Sequence, residues 1–80
     1  MNHLPREIER IIDVAIDFKT NGYSPASTGE RIAAAFVLND QRLLPAAFDD
    51  MVEAWDRLGP QWQDHVRRIK ADYMHLIEAG

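Results

Sequence analysis

Few side chains in this chain are placed to move protons, hold a metal or form a covalent bond. The histidines are His3, His65 and His75. No two of them are three or four residues apart, the spacing that sets two ligands on one helix face, and Asp72 with His75 supplies only half of a zinc site. Cysteine is absent, which removes disulfides, thiolate metal sites and thiol catalysis. Ser24, Ser27, Thr20 and Thr28 have no base near them in sequence. Gly22 and Gly29 make no phosphate-cradling pattern. The sequence therefore leads to a protein that is not an enzyme, with no cofactor and no metal.

Charge offers more. Arg67, Arg68 and Lys70 form a basic stretch near the end of the chain. By helical phase Met74 projects between Arg67 and Lys70, away from the apolar stripe. An exposed methionine flanked by cations suits an acidic, apolar partner surface, so Arg67, Lys70 and Met74 are the expected partner-binding residues. The competing use is internal pairing, with Asp64 near Arg67 and Arg68, and Asp72 four residues after Arg68. An acidic face opposes this stretch: Asp49, Glu53 and Asp56 share one exposed side of the third expected helix. It reads as a solvated face. Such a face is repelled by phosphate, and the formal net charge is −4. A helix-turn-helix transcriptional regulator built on helices two and three is therefore the alternative reading, and nucleic acid is not the expected partner.

The elements that would position these residues are helical. Eighty residues, 46% hydrophobic and 28% charged, make a single globular domain spanning 1–80. Nothing in the N-terminal sequence resembles a signal peptide, and no apolar run approaches the roughly 20 residues of a membrane span. A cytoplasmic location and no membrane contact are expected. The spacing predicts an all-α, compact four-helix domain with helices over 5–21, 28–38, 45–58 and 60–78. Pro5 opens the first, and Asn21-Gly22 closes it, with Tyr23 folding back on Phe18. Ile8, Ile11, Ile12, Val14, Ala15, Ile16 and Phe18 cover about 200° of its circumference. Ser27 and Glu30 make a capping box for the second helix, which Asn39-Asp40 ends. Pro45 opens the third, whose stripe is Phe48, Met51, Val52, Trp55 and Leu58. Gly59-Pro60 separates it from the fourth, striped by Trp62, Val66, Ile69, Tyr73, Leu76 and Ile77. The last two helices form an antiparallel hairpin, its base closed by Trp55 and Trp62.

One segment strains this arrangement. Ile32 to Leu38 is apolar without interruption, and a helix apolar all round must be covered all round. The narrow stripes of helices three and four look too small to do it. Helices one and two are thus expected to leave an apolar patch, with Val37 and Val14 meeting either a second copy of the chain or another protein. The function expected from sequence is a small intracellular interaction module that self-associates: an adaptor, inhibitor or accessory regulator.

Overall fold

The computed structural model describes residues 4–48 and 50–78, and the fold is all-α. Helix α1 spans Arg6–Asn21 and α2 spans Thr28–Val37. A 3₁₀ turn at Gln41–Leu43 precedes α3, Met51–Arg68, which continues through a π-helical turn at Ile69–Tyr73 into a short α4, Met74–Glu78. The expected helices three and four are thus the two arms of α3, joined at the non-helical Gly59 of the Gly59-Pro60 break.

Helix α1 starts after Pro5, whose carbonyl accepts from the Glu9 N–H at 3.0 Å. It stops at Gly22, in the left-handed region at φ 73°, with its N–H bonded to the Phe18 carbonyl. That single bond defines an αL cap and not a Schellman motif, so nothing draws the next residue inward. Tyr23 accordingly does not fold back on Phe18; it is 62% exposed.

Ser27 caps α2 as expected: its hydroxyl accepts from the Glu30 N–H, and the Glu30 carboxylate accepts from the Ser27 N–H. The same carboxylate receives both Nε and Nη2 of Arg10 from α1, at 3.1 and 3.2 Å. The Arg10 hydrogen bond holds the Glu30 carboxyl below its usual range, with Ser27 adding to the effect and burial opposing it. One carboxylate thereby closes a helix start and ties α2 to α1. At the other end Asn39 adopts φ 56°. Its N–H reaches the Phe36 carbonyl, and the Asp40 N–H reaches Ala35, the two bonds of a Schellman cap. Helix α2 therefore ends at Val37, one residue before the expected limit.

Helix α3 does not begin at Pro45. Pro45 to Phe48 forms one turn closed by a bond from the Phe48 N–H to the Pro45 carbonyl. The helix waits for Asp50, whose carboxylate accepts from the Val52 and Glu53 N–H groups at 2.9 and 3.3 Å. An aspartate at this position satisfies two otherwise orphaned donors, which proline cannot do. Starting there, the buried line of the first arm is Ala54 and Leu58, flanked by half-buried Met51 and Trp55. Val52 falls outside it and is 70% exposed, contrary to its expected place in the stripe.

Gly59 turns the chain. Its φ of 79° and ψ of 165° lie in a region essentially closed to residues with a Cβ. Pro60 has no N–H to offer the preceding turn, and the Gln63 side chain donates at 2.8 Å to the Trp55 carbonyl, the acceptor that the Gly59 N–H would meet in an unbroken helix. The arms fold back on each other, so that Arg67 of the second lies over the Trp55 ring of the first. In a straight helix those residues would be about 18 Å apart along the axis. The tryptophans do not jointly close the base of this hairpin: Trp55 meets Phe36, and Trp62 meets His65.

The π turn explains one more departure. In an unbroken α-helix the eight steps from Ile69 to Ile77 overshoot two full turns by about 80°. One extra residue taken up by the π turn removes about 100° and brings the two nearly into line. Both are buried in the core, whereas Leu76, expected there, is 41% exposed.

The core is a single cluster from α1, α2, both arms of α3 and Ile77 of α4. Helix α2 packs on α1 along one side and α3 along the other. Val37 is 1% exposed and Val14 2%, so the expected apolar patch at these residues is covered within the chain. The hairpin expected at Gly59-Pro60 is present, and added cover comes from outside its stripes, where Leu43 and Leu44 of the α2–α3 connection pack against the core.

Two substitutions test this packing. Val37→Asp should cost about 3–5 kcal/mol, the scale of an unpaired charge in a core. That is a large share of the roughly 5–15 kcal/mol holding a domain together, and an 80-residue chain lies toward the lower end. Circular dichroism should show lost helicity, and a folded Val37→Asp monomer would contradict the assignment. No neighbour would meet a Cβ added at Gly59, so Gly59→Ala isolates backbone strain. It should lower stability by about 1–3 kcal/mol in urea titration.

Candidate functional site

The expected partner-binding residues lie on the second arm of α3 and its continuation, where the rod passes the C-terminal end of α2. Arg67 and Lys70 are exposed, three residues apart, and share a helix face. Each is fixed by a different contact. The Arg67 guanidinium carbon sits 5.4 Å from the centre of the Trp55 ring. Lys70 donates from Nζ to the Phe36 carbonyl at 3.2 Å. That carbonyl lies in the last turn of α2, where the helix dipole is negative and a cation is favoured. Phe36 meets Trp55 edge to face, with ring centres 5.0 Å apart and planes at 67°. Phe36, Trp55, Arg67 and Lys70 thus form one connected platform of two half-buried rings and two exposed cations.

Among the described residues no carboxylate pairs with the platform's cations. The ion pairs among the described residues are Arg10–Glu30 and Arg42–Asp40. Asp64 and Asp72, placed by spacing to pair with Arg67 and Arg68, do not do so. Stacking on a ring occupies the face of a guanidinium and leaves its N–H edges open. Lys70 uses one of its three donors on Phe36.

Met74 is not where helical phase put it. The π turn rotates it off the Arg67–Lys70 face, and it packs half-buried against the core. There it joins Phe18, Leu38, Leu43 and Ile77 in lining an open groove of about 480 Å³. Lys19, Asp40, Arg42 and Glu78 supply its charged rim. Asp40 and Arg42 are bound to each other through two 3.0 Å contacts, Nε to Oδ1 and Nη2 to Oδ2, and this pairing holds the Asp40 carboxyl below its usual range. Platform and groove adjoin: Leu38 is two residues past Phe36, and Met74 is one turn past Lys70. Val37 and Val14, expected to meet a second copy, belong to neither; both are in the core.

Sequence reasoning selected the two cations and missed the rings beneath them. Arg67 and Trp55 are twelve residues apart; the expected hairpin at Gly59-Pro60 brings their arms together, but no local pattern encodes which side chains meet across it. The acidic face of α3 is present at Glu53 and Asp56, both exposed; Asp49 lies outside the described residues. Thirteen residues, including the 3₁₀ turn, separate α2 from α3, against three or four in a helix-turn-helix. Among the described residues no group of three or more His, Cys, Asp or Glu is placed to hold a metal ion, and no helix is long and apolar enough to cross a membrane.

His65 stands apart. It is 8% exposed, and neither ring nitrogen has a hydrogen-bond partner. Its ring packs edge-on against Trp62, with centres 6.1 Å apart. His3 lies outside the described residues, and His75 is exposed.

No family model matches the chain, and neither does any curated protein or solved structure. The geometry alone carries the functional reading.

A buried imidazole without partners leaves two polar atoms desolvated, so an apolar side chain of similar size should be better tolerated. His65→Leu is expected to raise stability by about 1–2 kcal/mol in chemical denaturation. A fall would mean that the imidazole makes a polar interaction worth more than its burial costs.

Proposed function

We propose that this chain is a small protein-interaction module, an adaptor, inhibitor or accessory regulator, that binds another protein where the end of α2 meets the second arm of α3. One observation carries the reading. Arg67 and Lys70 are held in place by a ring and a helix-end carbonyl, yet no carboxylate of the described residues meets either. Long cationic side chains normally lose substantial rotamer entropy when a partner fixes them. Here the chain's own contacts have already restricted them, so less freedom remains to be lost on binding. An enzyme has no comparable support, since no nucleophile–base pair accompanies the groove.

Self-association loses its specific basis, because the residues that motivated it lie inside the core. The helix-turn-helix reading is weakened on two counts, the long α2–α3 connection and the exposed carboxylates of the would-be recognition helix.

Affinity capture from the source organism tests the proposal, using the wild-type chain, the double reversal Arg67→Glu/Lys70→Glu, and Arg6→Glu at the start of α1 as a control. One protein should be retained in stoichiometric amount by the wild type and the control and lost by the double reversal, all three baits remaining helical. Capture indifferent to the reversal, or retention of nucleic acid in place of protein, would overturn the reading.

A further inference from the structure

We infer that the partner segment is both acidic and apolar: a carboxylate seated on the Arg67–Lys70 platform, followed by a large apolar side chain in the groove beside Met74. This rests on the interaction-module reading and adds the chemistry of the ligand. Charge complementarity fixes the first half. The two cations share one face, and their remaining N–H donors suit carboxylate oxygens, which accept charge-assisted bonds from both guanidinium and ammonium. The half-buried rings of Phe36 and Trp55 floor the site and limit water on one side of it.

Continuity fixes the second half. One helical turn beyond Lys70, Met74 enters the groove with Phe18, Leu38 and Ile77. A carboxylate and an apolar side chain about 5–7 Å apart would reach both subsites, the separation of residues one helical turn apart or two apart in an extended strand. The groove's own rim is mixed in charge, with Lys19 and Arg42 beside Asp40 and Glu78, so the carboxylate belongs on the platform and the apolar side chain in the groove.

A carboxylate is favoured over a phosphate polymer for an electrostatic reason. The chain's formal net charge is −4. A long run of phosphates is repelled by that overall charge, whereas a short acidic segment can engage the two cations alone.

The test uses the full chain with ¹⁵N-labelled tryptophan indoles and ¹³C-labelled methionine methyls, titrated with a synthetic peptide carrying two glutamates followed, two residues on, by leucine. The Trp55 indole and the Met74 methyl should both shift and saturate together, while the Trp62 indole, packed on His65, stays unmoved. Neutralising either cation by Arg67→Gln or Lys70→Gln should weaken binding about three- to fivefold. Glutamine keeps an N–H for the Phe36 carbonyl, so the Lys70 variant separates charge from capping. Replacing the peptide's glutamates by glutamine should weaken binding similarly, and replacing its leucine by serine should weaken it about tenfold.

The inference is overturned if neither signal moves, if neutralisation leaves affinity unchanged, or if only one of the two signals responds. It also fails if inorganic phosphate or a short DNA duplex perturbs Trp55 at lower concentration than the peptide. A partner protein lost on charge reversal, together with a silent peptide titration, would reject this chemistry and leave the interaction module standing.

Discussion

Everything in this fold follows from the need to cover α2. Ile32, Ala33, Ala34, Ala35 and Val37 are all buried, so this ten-residue helix has almost no solvent face of its own. An amphipathic helix can be satisfied by one neighbour, but a helix apolar all round needs neighbours on several sides. Three consecutive alanines ease the problem, since they let adjacent backbones approach closely and leave little surface to cover. The larger side chains do not, and they set how much covering surface the rest of the chain must present.

The chain meets that demand by bending. Gly59 gives up helical geometry at one residue and turns α3 into two arms, each presenting its own apolar line. At the bend the Gln63 side chain donates to the Trp55 carbonyl, whose regular helical donor would be the non-helical Gly59. The π turn performs a related correction further on, rotating the end of the rod so that Ile77 stays in register with Ile69. A bend and a phase shift together let a single helical rod wrap a core that two straight stripes would leave partly bare. The same constraint explains the orphaned imidazole of His65, which sits on the buried side of the second arm where the packing leaves its ring nitrogens no acceptor or donor.

How much of this is readable from sequence divides along the range of the interactions. Local features were legible: the capping box of Ser27 and Glu30, the left-handed stop at Gly22, the Asn39 terminator, and the wide apolar arc of α1. Each is written into residues three to five apart. The misassignments need information from farther away. Proline at 45 is a valid helix opener, yet Asp50 captures two backbone donors and starts the helix later. Leu76 fits an unbroken stripe, and only the π turn takes it out. The shortage of cover around Val37 follows from stripe widths with the hairpin at Gly59-Pro60 already expected; it leaves out the connector's Leu43 and Leu44, which pack against the core. At the candidate site the cations were identifiable and their supports were not, because Arg67 reaches Trp55 only after the chain has folded back.

The platform and the fold share residues, which has a physical consequence. Phe36 belongs to α2, Trp55 to the first arm of α3, and Arg67 and Lys70 to the second. Their contacts close the seam between the three segments, and the Phe36 carbonyl accepts from both Asn39 and Lys70. Any ligand that engages the cations therefore bears on contacts that also hold the arms against α2. A bound carboxylate would reinforce the placement of Arg67 and Lys70 if it accepted only from donors that Trp55 and Phe36 leave open. It would compete with that placement if it drew Lys70 away from the helix end. Free energy favours the first course, since the second gives up the Lys70 bond at the negative end of α2 and leaves the Phe36 carbonyl with the Asn39 N–H alone. Ligand and fold would then be coupled in the stabilising direction, as binding to the native state alone requires. The platform would serve at once as a clasp for the bent helix and as the chain's means of meeting a partner.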